Sequence, residues 1–277
     1  MGLRIATNVT SLQAQRQLGI TRLDLDKTLE RLASGSRINH AGDDAAGLAI
    51  SENLRAQIRA MRQARRNAND GISLIQTSEG GLTEVSNILI RLRELSIQAS
   101  SDTIGDTERV FVDREYQALK QEIDRIANIT QFNGTPLLNG KAGIFEMQIG
   151  IKNNPILDRI IYNGEKSDAT LDALQIGGES VATKQGAQLS ISTIDDALQR
   201  TNSVRADLGA LQNRLQSTIA NLAISEENLS AANSRIRDSD MAEEVSNLTK
   251  NNIMMQAGIS VLANANNTSQ SALKLLN

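Results

Sequence analysis

The chain has 277 residues, 29 of them basic and 32 acidic for a formal net charge of −3, with no Cys, no Trp, aromatics at 2% and Pro only at Pro136 and Pro155. Interleaved charges of both signs give no nucleic-acid footprint and no polybasic membrane patch, and without Cys there is no disulfide framework, thiolate metal site or Cys nucleophile. Apolar content drawn mostly from Leu, Ile, Ala and Val suits long helices with narrow seams better than one thick core.

The first residues lack the basic, apolar and small-residue regions of a secretory signal. Ala6 stands where a myristoylation pattern wants Ser or Thr. No window approaches the roughly 18 apolar residues of a membrane span, so the residues alone predict a chain that stays in the cytoplasm.

A first helix is expected over 1–35. Ile5, Val9 and Leu12 open its apolar stripe, and Leu18, Leu25 and Leu32 continue it at sevens. Ser34-Gly35-Ser36 terminates it. The polar stretch Arg37 to Gly47 then leads into a helix from about Leu48 to Ser78, followed by a second from Leu82 to Ser100 and a third from Thr107 to Ile129. Residues 36–131 are thus the N-terminal half of a helical rod.

The character changes at Phe132. Asn133-Gly134, Asn139-Gly140 and Asn163-Gly164 are turn signals. Between them Phe145, Met147, Ile149 and Ile151 alternate with Glu146, Gln148 and Gly150, the pattern of a half-buried strand. Arg159 to Tyr162 and Leu174 to Ile176 are its candidate partners, which makes 132–190 a small β-rich tip. From Ile191 a helical seam resumes through 236, with Ile194, Leu208, Leu215, Leu222, Leu229 and Ile236 on one heptad line and Thr201 its polar member. An unbroken helix over Ile191 to Ser234 is about 65 Å long.

The last segment, 237–277, carries the clearest pattern. Val245, Asn252, Ile259, Asn266 and Leu273 repeat at sevens, and Leu248, Met255, Leu262, Ser269 and Leu276 follow three residues on. A helix striped in this way needs another helix or another copy to cover it. The expected fold is mainly α: a long antiparallel helical hairpin or coiled-coil rod, a small β-hairpin region near mid-chain, and both chain ends at its base.

Leu32-Ala33-Ser34-Gly35-Ser36-Arg37-Ile38-Asn39-His40-Ala41-Gly42-Asp43-Asp44-Ala45-Ala46-Gly47 closely resembles the N-terminal signature of bacterial flagellins. Met254 to Asn266 resembles the C-terminal signature, and Glu122-Ile123-Asp124-Arg125 and Gln131-Phe132-Asn133-Gly134 resemble core sequence of the same family. These matches, in the right order along the chain, identify it as a member of that family in a core-only form that lacks the outer variable domains.

The resemblance implies a secreted structural subunit of the extracellular flagellar filament, with no enzymatic activity and no cofactor or metal. The terminal helices would become ordered on assembly, with Asn252 and Asn266 fixing register. Export unfolded through the flagellar type III system would account for secretion without a cleavable signal, and lack of Cys suits threading. The implied partners are copies of itself, the filament cap protein, the hook-junction protein, an export chaperone on the C-terminal helix and the flagellar export gate, with no nucleic acid and no membrane. A hook–filament junction protein is the alternative within the same superfamily. Ile90 to Ile97 matches the helix gripped by the flagellin-sensing Toll-like receptor of vertebrates, with Arg91, Leu95 and Glu115 on the contact positions, so a host innate immune receptor is a further implied partner.

Other constellations read as structure. His40, Asp43 and Asp44 could be drawn as a metal or acid/base cluster, but a metal site needs three or four ligands that converge, His40 is the only His, the family's motif uses this loop structurally, and the two aspartates suit a helix N-terminus. Arg59, Arg62, Arg65 and Arg66 have no aromatic among them for stacking on bases, and fit a solvated helix face or salt bridges between subunits. A flagellin with a catalytic insertion such as a zinc peptidase would need paired His ligands, and His40 is the only His.

Overall fold

A computed structural model of the chain describes the backbone of residues 7–274 and the side chains of residues 7–267. Helix α1 is Val9–Ser34, α2 Ala45–Ser100, α3 Asp106–Ile129, α4 Leu171–Leu174, α5 Lys184–Arg237 and α6 Met241–Lys274. Strands β1 (Gln131–Phe132) and β2 (Thr135–Pro136) pair antiparallel, as do β3 (Ile144–Gln148) and β4 (Arg159–Asn163). The chain divides into two compact units, one holding everything up to Ala56 together with Asn228 onward, the other Gln57–Glu227.

In the first unit the ends of α1 are set by local chemistry. The Asn8 carboxamide accepts from Ser11 N at 3.1 Å as an N-cap, and Gly35 closes the helix at φ +67 with its N–H on Arg31 O at 2.8 Å. Only a residue without Cβ adopts that backbone cheaply. Beyond it Ser36 bridges to Asp238, Ser239 N donates to Gly35 O at 3.1 Å, and Ile38 is buried. Asp44 caps α2, accepting from Gly47 N at 2.8 Å, as the sequence suggested. Asp43 accepts from the His40 and Asn39 amides, which hold its carboxyl below the usual range.

The second unit holds the core. Leu74, Ile75 and Leu82 of α2, Ala127 of α3, and Leu208 and Leu215 of α5 share one apolar cluster with Leu137, Leu138, Met147 and Tyr162. Farther along α2, Leu89, Leu92 and Leu95 meet Tyr116 and Ile123 of α3 and Ile194 of α5 in another cluster. Thr201, the polar member of the α5 heptad line, is buried with its hydroxyl on Ala197 O at 2.9 Å.

Several expectations are corrected here. The two helices expected over 48–78 and 82–100 are one, α2, which runs through Gly80-Gly81. Ser78, Leu82 and Val85 stay on one buried stripe, so packing offsets the roughly 1 kcal/mol that each mid-helix Gly costs. At Gly81 the absence of Cβ has a use: one there would collide with Leu138 and Thr130. Helix α5 begins at Lys184, seven residues ahead of Ile191, because Ala187 and Ser190 already face the core.

The β-rich stretch is part of this core and not a separate tip, since its buried side chains are the ones that α2, α3 and α5 pack against. Its strands end at Asn163. Leu174 to Ile176, expected as a strand, closes α4 instead, with Gln175 at φ +61 as its left-handed cap and Leu174 and Ile176 buried. Asn133-Gly134 does make the predicted tight turn, both residues at positive φ between β1 and β2.

Candidate assembly surface

Helices α1 and α6 pack antiparallel in the first unit, and the seam between them mixes apolar and polar side chains. On α1 it consists of Leu18, Leu25 and Leu32, each half-buried, and of Ser11, Thr21 and Thr28, which are the most buried residues of that helix. On α6 it consists of Leu248, Met255 and Leu262, with Glu244, Asn251, Gly258 and Ala265 as the companion line. Polar groups meet across it. Arg31 pairs with the buried Glu244 at 3.3 Å, Asn251 Nδ2 lies 3.5 Å from Thr28 Oγ1, Ser11 Oγ donates to Asn266 Oδ1 at 2.9 Å, and Asn8 Nδ2 donates to Ala265 O at 2.9 Å.

Within the α1–α6 pair, Leu248, Met255 and Leu262 are half-buried, and the other expected line gives way to residues one position earlier. Val245, Asn252 and Ile259 are exposed, Val245 at 51% and Ile259 at 56%, and their places facing α1 go to Glu244, Asn251 and Gly258. Asn266 reaches the seam only from its edge. At Gly258 the Leu18 side chain occupies the place a Cβ would take, so a larger residue there would collide with it. Val9 and Leu12 are likewise exposed, at 49% and 53%. Ile5, Leu276 and the Leu273 side chain lie outside the described residues. The sequence signals overlooked were the small residues at sevens, Gly258 and Ala265, and the opposite charges of Arg31 and Glu244.

What this leaves uncovered is informative. Val9, Leu12, Ile20 and Leu23 form an apolar stripe on the side of α1 away from the seam. Helix α6 exposes Val245, Ile253, Ile259 and Val261 beyond its own seam. Both terminal helices therefore carry more apolar surface than their mutual contact covers. Such patches mark interaction sites.

In the second unit, Arg91 of α2 reaches Glu115 of α3, donating from Nε at 3.0 Å and Nη2 at 2.8 Å, and donates to Glu94 from Nη1 at 2.9 Å. Arg91 and Glu115 are exposed, and the Glu94 and Glu115 carboxylates push the guanidinium pKa up, holding it charged. Leu95 is not on that surface. It is 1% exposed within the core shared by α2, α3 and α5, because its place in the α2 stripe with Leu92 and Ala99 points inward. As a direct contact residue it is corrected to a core residue beneath the Arg91–Glu115 face.

Two members of the arginine run pair within the chain. Arg62 and Arg65 of α2 both grip Glu226 of α5, at 2.6 and 3.2 Å, which lowers the Glu226 pKa. His40 lies 2.9 Å from Glu30, and no cluster of potential metal ligands occurs among the described residues. No helix is long and apolar enough to cross a membrane, among those same residues.

Comparison with known proteins accords with this geometry. The bacterial flagellin N-terminal helical region matches residues 5–142 and the bacterial flagellin C-terminal helical region matches residues 191–276. Flagellin of Halalkalibacterium halodurans is 44% identical over 269 residues, covering 97% of this chain and 98% of that protein. Flagellin of Bacillus subtilis is 42% identical over 303 residues, covering 99% and 100%. The crystal structure of Bacillus cereus flagellin aligns with a TM-score of 0.51 at 32% identity, over 61% of this chain and 94% of that one.

Proposed function

This chain belongs to the bacterial flagellin family, a family of structural filament proteins and not of enzymes, and from that membership we propose that it polymerises through the uncovered apolar faces of α1 and α6. The observation that carries this is the mismatch in the terminal pair. The seam, in which Ser11, Thr21, Thr28, Asn251 and Glu244 stand among Leu18, Leu25, Leu32, Leu248, Met255 and Leu262, covers one side of each helix, while Val9, Leu12, Ile20, Leu23, Val245 and Ile259 remain in water. Covering such faces with identical copies through heterologous, non-closing contacts yields a helical filament. Ordering of the termini is then coupled to polymerisation.

The rest of the cycle follows from the family. The chain is exported unfolded by the flagellar type III apparatus through its gate, with a chaperone on α6 until release, and adds beneath the filament cap distal to the hook-junction protein, outside the cell. The lack of Cys, and termini joined by a thin seam, favour threading.

Purified chain, seeded or salted out and followed by sedimentation and electron microscopy, is expected to form filaments, and a chain lacking residues 1–32 and 245–277 is not. A full-length chain that stays monomeric under every seed would favour the hook–filament junction protein instead.

Host recognition is proposed for the exposed Arg91–Glu115 face. Arg91→Asp removes the guanidinium from between two carboxylates and is expected to abolish receptor-dependent reporter signalling by the monomer. Signalling equal to the parent's would place recognition elsewhere.

A further inference from the structure

The chain has six methionines, and the structure places them in different surroundings. Met147 is 8% exposed, with its sulfur in the place a Cβ would take at Gly71. Met61 and Met255 are half-buried, Met255 in the seam of α6 against α1. Met241 and Met254 are exposed, at 50% and 40%. Met1 lies outside the described residues. The two accessible thioethers thus both belong to α6, one of the two helices whose uncovered apolar surface carries the filament reading.

Their positions on that helix are specific. At about 100° per residue, the α1-facing line of Glu244, Asn251 and Gly258 runs between two apolar edges. Met241 stands one turn before Val245 and shares its edge with Ile259, and Met254 stands two turns before Val261 on the other. A thioether suits such an edge, being apolar and adaptable enough to fill an irregular gap against a partner. It is also an apolar group that a mild oxidant makes polar. A sulfur lone pair attacks one oxygen of a hydroperoxide, the O–O bond breaks, and the proton of the transferred oxygen passes to the departing one. Sulfur is oxidised by two electrons to the sulfoxide, and the hydroperoxide is reduced to water or its alcohol. Covered by another copy, the new S–O group would lose its water among apolar neighbours that offer it no donor.

We infer that Met241 and Met254 are modification sites at which a hydroperoxide, by forming the sulfoxides, blocks polymerisation, and that assembly in turn shields them. This rests on the filament reading and adds to it a chemical control of the same surface. The block falls on free subunits before they add, while subunits already incorporated keep their thioethers. Met147 is shielded by its own chain whether or not the chain is assembled. Sulfoxide reductases return the thioether, so the block is reversible.

Hydrogen peroxide is the probe, applied to the purified full chain, which has no Cys to compete for it. Peptide mapping by mass spectrometry is expected to find sulfoxide first at Met241 and Met254 and last at Met147. The treated monomer is expected to need a critical concentration about tenfold higher or more for seeded growth. Methionine sulfoxide reductases A and B together should bring it back to that of the untreated chain. Met241→Leu with Met254→Leu keeps the apolar volume, and peroxide is expected to leave the growth of this double variant unchanged. A double variant that peroxide disables as fully as the parent would overturn the inference, as would a parent that carries both sulfoxides and grows normally. Filaments given the same dose are expected to gain sulfoxide at the two positions far more slowly than monomer, and equal rates would overturn the shielding. An untreated chain that grows from no seed would instead remove the filament reading itself, a result seen before any oxidant is added.

Discussion

Arg109 offers a quantitative test of how the end of α2 is held. Its side chain is 8% exposed, yet it is charged. Nε donates to Ala99 O and Nη2 to Ser101 O, each at 2.9 Å, and Nη1 donates to Asp106 at 2.7 Å. The first two acceptors are carbonyls at the C-terminal end of α2 that the helix itself cannot satisfy. In Arg109→Met the alkyl packing is kept and both bonds are lost. Each charge-assisted bond is worth about 1.5–3 kcal/mol net, and water recovers part of the loss at the more exposed Ser101, so the cost comes to about 3 kcal/mol. For a body of this size each kcal/mol moves the melting temperature by about 2–4 °C, which predicts a drop of about 6–12 °C by calorimetry. Asp106 is the control. Its carboxylate is 95% exposed, and Asp106→Asn is expected to cost under about 1 kcal/mol. If Arg109→Met melts within about 2 °C of the parent, or no lower than Asp106→Asn, the guanidinium is not what caps α2.

Further predictions concern close packing and titration. Nothing lies near a Cβ built on Gly80, whereas one on Gly81 meets Leu138 and Thr130; Gly80→Ala is therefore expected to stabilise by about 0.5–1 kcal/mol and Gly81→Ala to destabilise, both read from denaturant midpoints. In the seam, Gly258→Val is expected to block filament growth through its collision with Leu18, and Leu18→Ala to restore part of it, a coupling that a double-mutant cycle in critical concentration would reveal. Burial pushes the Tyr116 hydroxyl pKa up to about 12. In a Tyr162→Phe background the remaining tyrosine should thus ionise, by ultraviolet absorbance, near pH 12. The folded value lies above the unfolded value near 10, so the associated stability is full below about pH 10 and lost as the pH rises toward 12. Ionisation near pH 10 with the fold intact would contradict the burial.

The sequence by itself determined the fold class, because periodicity and composition act locally. Leu18, Leu25 and Leu32 and the line Leu248, Met255, Leu262 announced paired terminal helices, Ser34-Gly35-Ser36 announced the end of α1, Asn133-Gly134 the turn, and the absence of Cys a chain without cross-links. Family membership was legible for a related reason: its signatures are short contiguous runs. Tertiary structure decided which neighbours each side chain meets. The companion line on α6 is Glu244, Asn251 and Gly258 in place of Val245, Asn252 and Ile259, and the space beside Gly258 is filled by Leu18, more than two hundred residues away in sequence. Leu95 went inward because the stripe of α2 is set by α3 and α5. Gly80-Gly81 stayed helical for the same reason, since burial along the stripe outweighs a local cost of about 1 kcal/mol per glycine. The exposed pair Ile156 and Leu157, in the loop joining β3 to β4, had no periodic signal. An apolar pair in a loop looks the same in sequence whether it is buried or presented, and only the carboxamide of Asn154 and the carboxylate of Asp158, closing that loop on itself, turn it toward water.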